Sequence, residues 1–346
     1  MRQPIIWISL ALLLCASTAS AQDQHFTQFF SAPLTLNPAL SGTFQGKYRV
    51  ALIYRDQAPF QTYAGAVDLR FQLDRAGKRY KDAFGVGVLF YNDRVPKLGF
   101  SNNQINVTAA FHKSLSPSND QFLSAGFQVG IAQRNFSYER FNFEDQFAGD
   151  NGYTNPTAEI LPPNNFAYGD IGLGINYTYA PNRGMGVYAG AAMHHVLEPE
   201  ISFFYNEENP ELGSTDFLHR KYSAYVNLSI PLGLGISLQP RALVYAQGPH
   251  LAMNGGANFR FVLDEINGFA LHTGGWVRPV SSFDEQLTLD AVVGMVGIEY
   301  SNFLLGFSYD ARIDAVGSQR KQRGAFEISI AYLGEYDDET VLCPKF

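Results

Sequence analysis

The feature that most limits what this chain can fold into is a period-2 alternation of apolar and polar residues that recurs along nearly its whole length. Successive strand residues point to opposite faces, so each such segment has one apolar and one polar side. Tyr48, Val50, Leu52 and Tyr54 share one face, with Lys47, Arg49, Ala51 and Ile53 on the other. Tyr63, Val67, Leu69 and Phe71 oppose Thr62, Asp68 and Arg70. Ile105, Val107, Ala109 and Phe111 alternate with Asn106, Thr108 and His112. Near the end, Phe326, Ile328, Ile330 and Tyr332 alternate with Glu327 and Ser329. About fourteen segments follow this pattern, at 46–55, 62–72, 82–92, 102–113, 121–138, 166–180, 184–196, 220–231, 234–246, 250–262, 268–278, 286–300, 303–310 and 324–333. Several reach the ~9–11 residues that cross a bilayer at barrel tilt.

Two-faced strands bury their apolar sides against one another or against lipid, and composition chooses between these. The most apolar internal stretch, Ala291 to Gly297, is far short of the ~20 residues of a membrane-spanning helix. A chain that spans without such helices has to close into a barrel, because only closure satisfies every backbone amide in lipid. Charged residues make up 16% of the chain, against about 25% in globular domains. There are 28 Phe, 19 Tyr and 32 Gly, while mean hydropathy stays slightly negative, as expected where lipid-facing and lumen-facing residues alternate. Tyr48, Tyr54, Tyr63, Phe71, Tyr177, Tyr179, Tyr222, Phe261 and Tyr300 fall near segment ends, where interfacial aromatic girdles lie. Bacterial barrels alternate short periplasmic turns with longer external loops. With the first strand starting in the periplasm, the tight connections 181–183, 232–233 and 301–302 fall on that side, and the long ones 139–165, 197–219 and 311–323 fall outside. Connections 73–81 and near Gly248 depart from the rule. The predicted fold is all-β, a transmembrane antiparallel barrel of about 14 strands.

The start of the chain reads as an export signal. Arg2 gives a positive end, Ile5 to Cys15 an apolar run, and Ala19-Ser20-Ala21 a cleavage site. Leu14, in place of a small residue, argues against lipoprotein processing at Cys15. The expected organisation is a signal peptide at 1–21, a periplasmic or plug segment at 22–45, the barrel at 46–333 and a periplasmic tail at 334–346. Cys343 alone survives cleavage, so the monomer has no disulfide. The formal charge of −7 becomes −8 without Arg2, and nothing resembles a basic nucleic-acid footprint.

The polar positions of the alternation place Lys47, Arg49, Asp68, Arg70 and His112 towards the lumen, where paired charges chiefly stabilise an interior. Gly85, Gly87, Gly172 and Gly174 suit sharp curvature or close backbone approach. His194 and His195 are adjacent in a strand and should point to opposite faces, which disfavours a metal site with Glu198 and Glu200. There is no G-x-S-x-G elbow, and His219, His250 and His272 have no recognisable partner spacing. Neither catalysis nor a cofactor is expected.

The segment QDQHFTQFFSAPLTLNPALSG, residues 22–42, is distinctive. With Gln28 among aromatics, Asn37-Pro38-Ala39, Gly42 and then Arg55-Asp56-Gln57, it resembles the opening of the PorP/SprF family of outer-membrane components of type IX secretion and gliding machinery. Family members commonly continue the last motif with Trp, where this chain has Ala58. Asp145 and Gln146 match an aromatic-x-Asp-Gln element, His194 and Pro199 a His…Pro…Ser-Phe element, and Cys343-Pro344 a Cys-Pro ending. The resemblance implies a barrel that binds, helps export or anchors large secreted adhesins through C-terminal sorting domains, and that contacts periplasmic subunits of the machinery. Connections 139–165 and 197–219, rich in Asn, Asp, Glu, Tyr and Phe, are the candidate contact regions. The other reading, a passive transporter of small or hydrophobic solutes, is distinguished by steady current in planar bilayers.

Overall fold

A two-faced strand is stable only when both backbone edges are paired and each face meets a matching medium, and the fold satisfies both demands by closure. The computed structural model describes residues 25–73, 81–181, 184–204, 216–281, 287–313 and 324–334. The signal-peptide reading and the Cys343-Pro344 ending lie outside the described residues. Fourteen strands are present: β1 (Tyr48–Gln57), β2 (Phe60–Leu73), β3 (Asp82–Val95), β4 (Phe100–Ser114), β5 (Gln121–Asn135), β6 (Asn165–Tyr179), β7 (Gly186–His194), β8 (Lys221–Gly233), β9 (Ile236–Gln247), β10 (His250–Asp264), β11 (Phe269–Ser281), β12 (Leu287–Tyr300), β13 (Phe303–Arg312) and β14 (Ala325–Gly334). Every strand read from the alternation is found, its ends within three residues of those expected. Each pairs antiparallel with its sequence neighbours, and β1 pairs with β14 to close the barrel, with Leu52 opposite Ile330 and Arg55 opposite Glu327.

The two faces separate cleanly. On β1, Arg49, Ala51, Ile53 and Arg55 are buried, while Leu52 points outward and is 51% exposed. Ile105, Val107, Ile131, Ile175, Leu305 and Phe307 continue an apolar outer belt. The inner face carries Asn106, Thr108, Asn176, Asn258, Ser308, Asp310 and Glu327, all buried. In water such a belt would cost about 25 cal/mol per Å² of exposed apolar surface, and lipid removes that cost. Among the described residues no helix is long and apolar enough to cross a membrane.

An eight-stranded barrel is narrow enough for its own side chains to fill, and the bore widens with strand number. Here residues 25–47, ahead of β1, fill the lumen as a plug. Its short helical turns follow from its prolines. Pro33 sits in the first turn of Pro33–Leu36 and Pro38 in that of Pro38–Leu40, where the missing N–H has no intrahelical acceptor to lose. Asn37 separates the two, and its side chain caps the second by accepting from Ala39 N at 2.8 Å. The plug begins in the half of the lumen where β1 ends and descends to the rim where β1 begins. This near rim carries the tight turns Leu234–Gly235 and Ser301–Asn302, whereas residues 136–164 and, after β7, residues 195–204 and 216–220 lie at the far rim.

The face assignment is testable at mid-strand in β4. Val107→Arg should cost about 2–4 kcal/mol of folding stability in a lipid bilayer, while Val107→Ile should leave it nearly unchanged, as read by urea titration in vesicles.

Candidate functional site

The plug is held at its upper end by a buried charge cluster. Arg55 of β1 pairs with Glu327 of β14, and its Nη2 lies 2.9 Å from Asp310 Oδ2 of β13. Arg278 of β11 reaches the same Asp310 oxygen at 2.8 Å and Asp290 of β12 at 2.8 Å, and Arg312 closes on Asp290 at 3.0 Å. Three guanidinium groups thus meet three carboxylates, and Arg55, Arg278, Asp310 and Glu327 are essentially sealed from solvent. The plug enters this cluster through its backbone. Thr27 N and Gln28 N donate to the two Glu327 oxygens at 2.6 and 2.8 Å. Thr27 Oγ1 donates to Asp310 at 2.9 Å and accepts from Arg55 and Arg278 at 2.8 and 3.0 Å. Gln28 donates to Ser308 Oγ at 3.0 Å and accepts from Ser329 Oγ at 2.8 Å. Gln57 takes the remaining edge of Arg55, accepting at 2.7 and 3.1 Å. Just above, burial and then the Arg278, Arg55 and Lys221 charges hold the His25 imidazole well below its ordinary value, in the neutral form.

The middle of the plug is seated on the opposite wall. Asn37 Nδ2 donates to Ile175 O of β6 at 2.9 Å and Ala191 O of β7 at 3.3 Å. This approach needs bare backbone: a Cβ at Gly174 would collide with Asn37 Oδ1, and one at Gly85 with Ser41 O. Ser41 Oγ donates to Thr108 Oγ1 at 2.6 Å, and Ser41 O lies 2.7 Å from His112 Nε2. A carbonyl can only accept, so His112 carries its proton on Nε2, and Nδ1 accepts from Ser124 Oγ at 2.7 Å. Gly42 N donates to Asp68 Oδ2 at 2.8 Å, and Asp68 is gripped by Arg49 at 2.7 and 2.9 Å. Arg49 also donates to Leu40 O at 3.1 Å, and Arg70 to Gly42 O at 3.1 Å.

Residues far apart in sequence therefore converge. Gln28, Asn37, Pro38, Ala39, Gly42, Arg55 and Gln57 form the plug and its upper anchor, and Arg49, Asp68, Arg70 and His112 its lower one. Lys47 lies one residue before β1 and is exposed at the near rim. Asp145 and Gln146 sit in the loop after β5, where Asp145 accepts from Thr157 Oγ1 at 3.0 Å and Gln146 from Phe143 N at 2.9 Å. Pro199 O accepts from Leu218 N at 2.9 Å, tying the loop after β7 to its own return. The expectation that His194 and His195 point apart is corrected. β7 ends at His194, and His195 has a φ of +56°, which turns it back inside. Both rings are buried 6.4 Å apart, His195 Nδ1 lies 3.0 Å from Asp170, and His194 Nε2 lies 3.3 Å from Leu36 O of the plug. Among the described residues no group of three or more His, Cys, Asp or Glu could hold a metal ion.

Asp310, Arg278 and Asp290 were not singled out from sequence. Their signal was present in the alternation, as charges at inward positions of otherwise apolar strands, but nothing local says which strands face one another across a lumen. At the far rim the two long loops share an aromatic cluster. Phe136 stacks on Phe141 at 5.1 Å, and Phe203 meets Phe166 edge-on at 4.9 Å and Phe136 at 6.0 Å.

Among known proteins, the family model described as type IX secretion system membrane protein PorP/SprF matches residues 18–332. No curated protein matches the sequence. Among solved structures, the Pseudomonas putida toluene transporter TodX is 11% identical over 91% of this chain and 99% of its own, with a TM-score of 0.50. The Ralstonia pickettii toluene transporter TbuX is 10% identical over 89% of this chain and 94% of its own, with a TM-score of 0.47. At 11% identity the TodX likeness speaks to the barrel fold alone.

Removing Arg55 leaves two buried carboxylates short of a counter-charge. Arg55→Ala should lower stability by about 3–5 kcal/mol, the usual cost of breaking a buried ion pair, measured as the urea midpoint of heat-modifiable migration. Gly174→Leu should displace Asn37 and expose residues 25–47 to added protease while the strands stay folded.

Proposed function

The chain belongs to the PorP/SprF family of type IX secretion system membrane proteins, and from this premise we propose that the barrel binds a large secreted protein at its far rim and helps export or anchor it. The observation that carries this reading is the filled lumen. A plug tied to the wall at both levels leaves the rims and the outer wall as the surfaces on which an outer-membrane secretion barrel can work. The far rim suits a protein partner, since residues 136–164 and, after β7, residues 195–204 and 216–220 combine clustered Phe side chains with Asp, Glu and Asn, a polar rim around aromatic anchors. Phe204, Phe147 and Tyr153 are left 62%, 56% and 52% exposed there. Longer loops face outward in bacterial barrels, which turns this rim to the cell surface and the tight-turned rim to the periplasmic subunits. The client is read as an adhesin with a C-terminal sorting domain. The mode of action is binding, without catalysis. A passive transporter of hydrophobic solutes is the weaker reading, because the plug occupies the path a solute would take.

Mild-detergent capture of the native barrel followed by mass spectrometry should recover a large secreted protein with a C-terminal sorting domain together with periplasmic machinery. Replacing residues 142–160 by a short Gly/Ser linker should lose that client and its surface display while the barrel stays folded. Unchanged display in this variant would contradict the assignment.

A further inference from the structure

Four arginines are buried in the described structure: Arg49, Arg55, Arg241 and Arg278. Three of them meet carboxylates, Arg49 on Asp68, Arg55 on Asp310 and Glu327, and Arg278 on Asp290 and Asp310. Arg241 of β9 has none within ion-pair distance among the described residues. Its Nη2 donates to Gln239 Oε1 at 2.8 Å, its guanidinium carbon stands 3.7 Å from the centre of the Phe30 ring, and its Nε has no partner. The polar chain leading away from it runs from Gln239 to Asn258 at 2.8 Å and on to His272 at 3.3 Å. It ends at Glu299, whose carboxylate is held by Arg260 at 2.7 Å. An aromatic face and one neutral amide do not replace a counter-ion for a desolvated cation.

The same guanidinium lines an open-mouthed cavity of about 100 Å³ between the plug and strands β7–β9. Phe29, Leu36, Leu40 and Tyr188 make much of its lining apolar. Asn227, directly across the ladder from Arg241, also lines it and leaves its buried side-chain oxygen without a partner. The β8–β9 ladder is interrupted at this point. Asn227 pairs with Arg241 and Ile230 with Leu238, but the two positions between them are unpaired, because Pro240 has no N–H to offer the ladder. Leu228, in that interruption, belongs to the cavity lining although its strand neighbours at alternate positions face lipid.

We propose that this cavity is a binding site for an amphipathic anion of the fatty-acid class, its carboxylate on Arg241 and its unbranched tail among Phe29, Leu36 and Leu40. A carboxylate matches the planar guanidinium donors and supplies the missing charge. An inorganic anion would leave the apolar lining unused, and a neutral hydrocarbon would leave the charge unpaired. The interrupted ladder puts the site beside the lipid, where such molecules concentrate. The proposal is independent of the secretion reading.

The test titrates the full barrel, delipidated and reconstituted in nanodiscs, with octanoate, octanol and acetate by calorimetry. Octanoate should bind saturably at one site, with octanol and acetate at least about tenfold weaker. Arg241→Gln should weaken octanoate by about 10- to 100-fold, as expected for a charge-assisted contact, and leave octanol unchanged. Ser229→Trp, which puts bulk into the cavity from β8, should abolish binding of both. Absence of saturable octanoate binding to the wild type, equal affinity for octanol, or octanoate binding that survives Ser229→Trp overturns the site. If Arg241→Gln does not fold, as judged by heat-modifiable migration, Ser229→Trp decides alone. Saturable binding of an apolar peptide through its C-terminal carboxylate, without octanoate binding, also overturns it.

Discussion

The fold depends most on the pairing of Arg55 with Glu327. These two residues are directly opposed in the β1–β14 ladder, the seam at which the sheet meets itself. Every other ladder joins strands that follow one another in sequence, so a turn or loop helps bring them together. The closing pair has no such help and joins the two ends of the barrel. A charge pair on its inner face specifies register, because a one-residue slip would turn Arg55 or Glu327 towards lipid. Such a pair is weak evidence for net stability, given the cost of desolvating two ions. Its worth here lies in what else it holds. Glu327 also accepts two backbone N–H groups from the plug, and Asp310 accepts the Thr27 hydroxyl. Seam and plug are satisfied by the same carboxylates, so neither is complete without the other.

This coupling explains the form of the plug. A segment with few internal hydrogen bonds would be costly to bury unless the wall supplied partners. The wall does so at two levels, the charged seam above and the Asp68–Arg49 and His112–Ser124 groups below. Between them, bare glycine backbone lets Asn37 and Ser41 reach the strands directly. Among the described residues Arg241 is the one buried arginine left outside this balance, and it lies in the cavity that the plug and wall leave between them.

Much of this was legible in the sequence, and the limits have physical causes. The strands and their inner and outer faces follow from period-2 alternation, because a lipid-facing side chain and a lumen-facing one are chemically distinct at nearly every position of β1, β4 and β14. Arg49, Asp68, Arg70 and His112 sat at inward positions and could be named. That Asp310 meets Arg55, 255 positions earlier in the chain, could not be read, since closure decides it and no local pattern carries closure. His195 was misplaced because a strand end with a left-handed residue reverses the alternation locally. The N-terminal motif was recognisable as a unit, but whether Asn37-Pro38-Ala39 capped a surface turn or a buried plug depended on Gly174 in a distant strand.

Residues 25–47, tied to the wall at both levels, close the lumen of this outer-membrane barrel. Planar-bilayer conductance of the purified full-length protein tests this closure most directly, alongside a variant lacking residues 25–45. The full-length barrel should carry no steady current, and the variant a sustained open-pore current. A steady open-pore current from the full-length protein would contradict it.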